Sequence, residues 1–362
     1  MRGSIIKRGD GYSVVLDLGR GPDDKRIRKW HSGYRTKRDA ERARVELLAS
    51  LQRGSYVEPS KLDVRLFLEE RWLPAHRGRV RPRTWELHRD IVNNHLAPAL
   101  GHLPLQQLGA DHLDALYAAL AAEKHLSPGT VRNVHVTAHR ALQDAVRWGK
   151  VPRNVADLAS PPRRQRTEMQ TWSASELRAF LDHVQQDRLY ALWLLAATSG
   201  MRRGELLGLR WRGVDLGAAT LSVAESKTAA GRRVVDLDPA TVAALKRWRK
   251  DQASERLAWG AAWQNTGLVF SREDGSPVAP RWVDKRFTRL QQLAGARHIR
   301  LHDLRHTWAT LALQAKVHPK VVQERLGHAS IAITLGTYSH VAPGMGEQAA
   351  ATVAALVLGD GS

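Results

Sequence analysis

The stretch IRLHDLRHTW (299–308) sets Arg300, His302, Arg305 and His306 close together. Read as a helix, it puts His302 and Arg305 three residues apart, facing one way. Elsewhere the chain supplies side chains of matching chemistry: Arg202 and Glu205 in GMRRGEL, Lys227 in ESKT, His328 in RLGHASIAIT and Tyr338 in TYSHV. An arginine, a lysine, a His-x-x-Arg, a Gly-His and a downstream tyrosine are all groups that can act on a phosphodiester. Arg offers a planar fork of donors that matches the non-bridging oxygens of a phosphorane. Tyr is a poor nucleophile near neutrality, because its ordinary pKa is about 10, so a cationic site must favour the phenolate.

Each piece also has a plain structural reading. Arg202, Glu205, Leu206 and Leu209 fall at i, i+3, i+4 and i+7, which predicts Arg202 on an apolar helical face with Glu205 as the partner a buried charge needs. A structural Arg–Glu pair would look the same, and a lone hairpin Lys is ordinarily solvated. His298, His302 and His306 are spaced by four, as in a metal-binding ladder. No Glu occupies the HExxH position, however, and Ile299 to Leu301 reads as a lead-in, so no metal is expected. His306 reads as a helix-surface or packing residue. His88, His95 and His139 read as bundle residues or phosphate contacts, and Arg300 as a lead-in residue with no role.

These side chains must be positioned by the elements around them. In residues 172–345, DRLYALWLLAATSG predicts a buried helix ending near Gly200, and ATLSVAESKTAAGRRVVDLD predicts two strands joined near Ala229–Gly231 with Lys227 at the hairpin end. GLVFSREDGSPV predicts a strand and turn. The helical PRWVDKRFTRLQQLAG follows, and then RLHDLRHTWATLALQAKV. Upstream, residues 62–160 show four segments with apolar residues at three and four spacing, a compact bundle, with Ser127 and Pro128 opening the last of them. Residues 1–55 combine β-prone runs around GDG with a helix that starts after Thr36 and ends at Gly54, a three-stranded sheet plus a helix. Residues 161–171 form a basic linker, and residues 346–362 a short apolar tail helix. The fold class is multidomain and mainly α: a small β-hairpin and helix domain, a helical bundle, and a mixed α+β third domain.

Composition points the same way. The 362 residues exceed one typical core. There is no cysteine, which excludes disulfides, thiolate catalysis and Cys-based zinc sites. Lys and Arg number 56 against 36 Asp and Glu, a net charge of +20 spread along the whole chain. An extended polyanion is the best match, since each phosphate neutralised releases counterions. A ribosomal or membrane-surface role is the competing reading. No apolar run reaches the roughly 20 residues needed to span a bilayer, and MRGSIIKRGDGYS lacks the features of a secretory leader, so a cytoplasmic protein is expected.

The order GMRRGEL, ESKT, HDLRHTWAT, RLGHASIAIT and TYSHV resembles the catalytic domain of tyrosine site-specific recombinases, the phage integrase family. The bundle at 62–160 is similar to the family's core-binding domain, and residues 1–55 resemble the arm-binding domain of phage and integrative-element integrases. The resemblance implies Tyr338 as nucleophile, Arg202 and Arg305 as the phosphate clamp, and His302 and His328 as further donors. Lys227 would be the general acid for the leaving 5′ oxygen, with Glu205 supporting the first Arg. It further implies site-specific recombination through a 3′-phosphotyrosyl intermediate without metal or ATP. The expected partners are double-stranded DNA at core and arm sites, a homotetramer with each tail exchanged in trans, a host DNA-bending protein and a directionality factor. Two alternatives are a Xer-like resolvase of replicon dimers, which usually lacks the first 55 residues, and a non-catalytic DNA-binding protein of the same fold.

Overall fold

The computed structural model describes residues 2–20, 23–54, 56–163, 169–223 and 232–338. Lys227 and the tail 346–362 lie outside the described residues, as does part of the expected linker 161–171. The chain divides into two compact units, residues 1–166 and 167–362.

The first unit opens with strands β1 (Arg2–Arg8), β2 (Gly11–Arg20) and β3 (Arg26–Tyr34), antiparallel in that order. Gly9 takes a positive φ of 62° in the β1–β2 turn, a conformation glycine adopts at no steric cost. The central strand buries Val14 and Leu16 against helix α1 (Lys37–Gln52), whose Ala40 is fully buried. Thr36 caps α1, its hydroxyl accepting from the Asp39 N–H at 3.1 Å.

The bundle follows. Val64–Leu66, a π-helical turn Phe67–Trp72 and Leu73–Arg77 form one continuous helical run. Pro82–Ile91, a second π turn Val92–Leu96 and Ala97–Leu100 form another. Both π turns sit just before a proline, Pro74 and Pro98. A proline inside a helix lacks an N–H and its ring crowds the carbonyl four residues back. The wider turn, seen as Leu73 N–H bonding to Leu68 O and Ala97 N–H to Val92 O, lets each helix run on. Helices α2 (Ala110–Ala122) and α3 (Pro128–Arg147) complete the bundle around Phe67, Trp72, Leu113 and Val131. The Trp72 indole N–H donates to Asp144 Oδ2 at 3.0 Å, and its ring stacks on His76 at 4.5 Å. His76 in turn meets His88 at 2.9 Å, so His88 is a buried bundle residue.

In the second unit, α4 (Ala174–His183) starts with a capping box between Ser173 and Glu176. Helix α5 (Tyr190–Ser199) is buried on nearly every face and ends at Gly200 in the left-handed conformation. Helix α6 (Arg203–Leu207) follows, then a sheet of β4 (Val214–Asp215), β5 (Thr220–Val223) and β6 (Arg233–Asp236), with β5 in the middle. The expected hairpin is thus joined by a third, two-residue strand too short to show alternation. The strand expected in GLVFSREDGSPV is reduced to isolated bridges, Arg210 with Leu268 and Ser271 with Pro277, flanking the turn around Gly275. Helices α7 (Pro239–Trp259), α8 (Pro280–Leu293), α9 (Asp303–Gln314), α10 (Pro319–Leu326) and α11 (Ile331–Tyr338) complete the unit.

Because Trp72 fills the bundle core and satisfies a buried carboxylate at once, Trp72→Ala should destabilise the first unit by about 3–5 kcal/mol. Urea unfolding followed by circular dichroism measures this, and a change under 1 kcal/mol would contradict the packing described.

Candidate active site

The site is organised around the C-terminus of α10, where the last carbonyls of a helix have no partner within it. Gly327 leaves α10 with φ of 64°, and a Schellman turn closes it: Gly327 N–H donates to Glu324 O at 3.0 Å and His328 N–H to Gln323 O at 3.1 Å. Three successive carbonyls are then gripped by three arginines from three different elements. Arg233 Nε, from β6, donates to Arg325 O at 2.5 Å. Arg305 Nη2, from α9, donates to Leu326 O at 2.7 Å, and Arg202 Nη2 donates to Gly327 O at 3.0 Å. Cations at the negative end of a helix are favourably placed.

Arg202 was expected inside a helix, on one face with Leu206 and Leu209. It is instead the extended N-cap of α6, with φ −74° and ψ 148°, and Leu209 lies beyond the helix end. The left-handed Gly200 turns the chain sharply after α5, so the new helix begins only at Arg203. The expected partner is correct: Arg202 Nη1 donates to Glu205 Oε1 at 2.8 Å and its backbone N–H to Oε2 at 2.9 Å. Arg233 Nη2 also donates to Glu205 Oε2, at 2.9 Å, a partner the sequence did not reveal. Burial opposes ionisation of Glu205, but hydrogen bonds from Arg233 and from Arg202 outweigh it and hold the carboxyl below the usual carboxylate range.

Arg305 is 3% exposed. It donates to Gly200 O at 2.7 Å as well as to Leu326 O, which ties α9 to the end of α5. A side chain at Gly200 would stand 2.9 Å from the Trp308 ring, so only glycine fits here. Burial, then the charge of Arg202, lowers the Arg305 pKa to about 9, which still leaves it cationic at neutral pH. His302 is the N-cap of α9, one turn from Arg305, and stays exposed. His298 precedes the helix, so the ladder of four-spaced histidines is not continuous. Arg300, without a role in the sequence, clamps Asp303 with Nε at 3.0 Å and Nη2 at 2.8 Å and fixes the start of α9. Arg202, Arg203, Arg300 and His302 line an open groove.

His328 Nδ1 pairs with Thr334 Oγ1 of α11 at 2.9 Å. Tyr338, the last residue of α11, is 1% exposed and packs on Ala309, Val322 and Leu326. Its hydroxyl meets His306 Nδ1 at 2.7 Å. The sequence reading had set His306 aside; its HDLRH neighbourhood hinted at a role, but a partner 32 residues away cannot be read from spacing. Burial pushes the Tyr338 phenol up to about 12, against the pull of Arg305. Helix α11 is inside out: Thr334 and Tyr338 face inward, while Ile331, Ile333 and Leu335 are exposed.

The structure therefore brings together Arg202, Glu205, His302, Arg305, His328 and Tyr338, and adds Arg233 and His306. Near Arg202, Arg233 and Arg305, Glu205 is the one carboxylate these arginines contact among the described residues. Such a cluster is suited to an anion presenting several oxygens.

Comparison with known proteins gives a consistent result. Residues 170–345 match the phage integrase family, and residues 67–121 match the N-terminal SAM-like domain of phage integrases. The tyrosine recombinase XerC-like protein of Caldanaerobacter subterraneus subsp. tengcongensis is 26% identical over 94% of this chain and 95% of its own. Tyrosine recombinase XerC of Azotobacter vinelandii is 30% identical over 65% of this chain and 76% of its own. Among solved structures, the Tn1549 transposon integrase in complex with transposon right end DNA aligns with a TM-score of 0.65 at 20% identity, covering 81% of this chain and 98% of that one. A lambda integrase tetramer bound to a Holliday junction aligns at 0.61 and 16% identity, over 92% and 93%.

The histidines give a pH dependence. Burial, and next the charge of His302, lowers the His306 pKa to about 4; burial, and next Arg305, does the same for His328. Unfolded, both take a proton near 6.5, so between about pH 4 and 6.5 the unfolded state binds more protons and stability rises with pH. The thermal midpoint should therefore fall from pH 7 to pH 5. Differential scanning calorimetry measures it, and a flat profile over that window would contradict the burial of these rings.

Proposed function

The chain belongs to the phage integrase family of tyrosine recombinases, and we propose that it integrates and excises a mobile DNA element with Tyr338 as its nucleophile. The observation that carries the residue assignment is the convergence of Arg202, Arg305 and His328 on one helix end, with His302 one helical turn from Arg305 and Tyr338 packed against the same helix.

In this reading a phosphodiester enters the groove lined by Arg202, Arg203, Arg300 and His302. Arg202 and Arg305 hold the non-bridging oxygens through donors not engaged by backbone carbonyls, and His302 and His328 add further ones. The Tyr338 phenol gives up its proton to solvent and its Oη–P bond forms as the P–O5′ bond breaks, while Lys227 delivers a proton to the leaving 5′ oxygen. The 3′-phosphotyrosyl ester retains the energy of the broken bond, so a 5′ hydroxyl of another strand reseals it, and neither metal nor ATP is required.

The substrate is duplex DNA in the bacterial cytoplasm, consistent with the net charge of +20. The bundle grips the core site and the N-terminal sheet the arm site. Four chains act together, each lending its tail 346–362 to the next, and a host bending protein and a directionality factor complete the assembly. The three-stranded sheet with α1 ahead of the bundle favours an integrase over a Xer-like resolvase.

Tyr338→Phe should bind DNA normally yet form no covalent adduct on a nicked suicide substrate in denaturing gels. Arg305→Ala should slow adduct formation by roughly 10²–10³, the typical loss of one preorganised donor. An adduct with Tyr338→Phe, or an unchanged rate with Arg305→Ala, would overturn the assignment. A chain starting at residue 59 should cleave core-site DNA and lose binding to arm-site DNA in mobility-shift assays; equal arm-site binding would contradict the role given to the sheet.

A further inference from the structure

His306 is half-buried and sits on α9, four residues after His302 and one after Arg305. Positions i, i+3 and i+4 of a helix share a face, so a single turn carries the two proposed phosphate donors and the partner of the tyrosine hydroxyl. The His302 and His306 rings meet edge to face at 5.3 Å, and the His306 and Tyr338 ring centres are 5.8 Å apart. The Tyr338 ring lies on aliphatic carbon, Ala309, Val322 and Leu326, which holds the ring in place but offers its hydroxyl nothing. A buried hydroxyl without a partner costs free energy, and among the described residues His306 Nδ1, at 2.7 Å, is the group that meets this one.

We propose that His306 is a positioning residue for the nucleophile: its Nδ1 holds the Tyr338 hydroxyl and aims it at a phosphate gripped by Arg305 and His302 from the same helical turn. The inference rests on the reading of Tyr338 as nucleophile. A packing residue would need only to fill the volume of the ring; a positioning residue must offer a hydrogen-bonding atom at that point. At neutral pH burial keeps both groups uncharged, the imidazole pulled to about 4 and the phenol pushed to about 12, so the pair is held by a hydrogen bond and not by an ion pair. The constraint lies on orientation: when the phosphate arrives, the attacking oxygen is tethered to the turn that binds its target.

The test is single-turnover cleavage of a nicked suicide duplex by the full chain at saturating protein. His306→Ala and His306→Phe should form the covalent adduct roughly 10- to 100-fold more slowly than the parent at unchanged DNA affinity, the usual penalty for a misplaced reactive group. His306→Asn, whose side-chain amide reaches the place of Nδ1, should recover most of the rate. Phe restores bulk without the hydrogen bond, so the Asn–Phe contrast separates positioning from packing even where the Ala variant folds poorly. A parental or faster rate for Ala, recovery by Phe equal to that by Asn, or no recovery by Asn would each overturn the proposal. Tyr338→Phe in the same assay separates the two readings. An adduct there removes the nucleophile assignment itself, whereas no adduct together with parental cleavage by His306→Ala removes only the role of His306.

Discussion

Three arginines crowd onto three consecutive carbonyls at the end of one helix, and the rest of the second unit is arranged to permit it. Like charges so close repel, and each is partly desolvated. What makes the crowding tolerable is a sum of fixed partial charges: the Arg325, Leu326 and Gly327 carbonyls, the Gly200 carbonyl and the single carboxylate of Glu205. The guanidinium groups are thus held with their directions already set, which is what electrostatic preorganisation requires.

The same grip explains how distant segments reach one place. Arg202 follows α5, Arg233 lies on the far strand of the hairpin and Arg305 on α9, yet all three end on the last turn of α10. The Schellman turn at Gly327 then fixes where His328 leaves that helix. Two glycines serve this arrangement: Gly200 lets Trp308 approach where a Cβ would clash, and Gly327 takes at no steric cost the left-handed conformation that ends α10.

Local signals in the sequence revealed much of this. Thr36 and Ser127 cap the helices their spacing announces, α5 ends at Gly200, and the Arg202–Glu205 pair is present. What escaped depended on contacts remote in the chain. Arg233 joins Glu205 across 28 residues, and His306 meets Tyr338 across 32, distances at which periodicity carries no information. The helical face drawn through Arg202 failed for a local reason, since a glycine-induced turn reset the helix start by one residue. The bundle's two π turns were likewise hidden, because a proline within an apolar pattern reads as a break and not as a widened turn.

Helix α11 has its apolar residues on the wrong side for a domain that meant to keep it. Ile331, Ile333 and Leu335 face solvent, so lifting the helix away removes little hydrocarbon from shelter. Attachment falls mainly to Tyr338 and to the hydroxyl of Thr334 against His328. The side chain proposed as nucleophile is thus also the main fastener of its own helix. A phosphate must therefore reach the hydroxyl while the ring stays seated, and whatever surface covers the exposed face of the helix sets how firmly that seat is held.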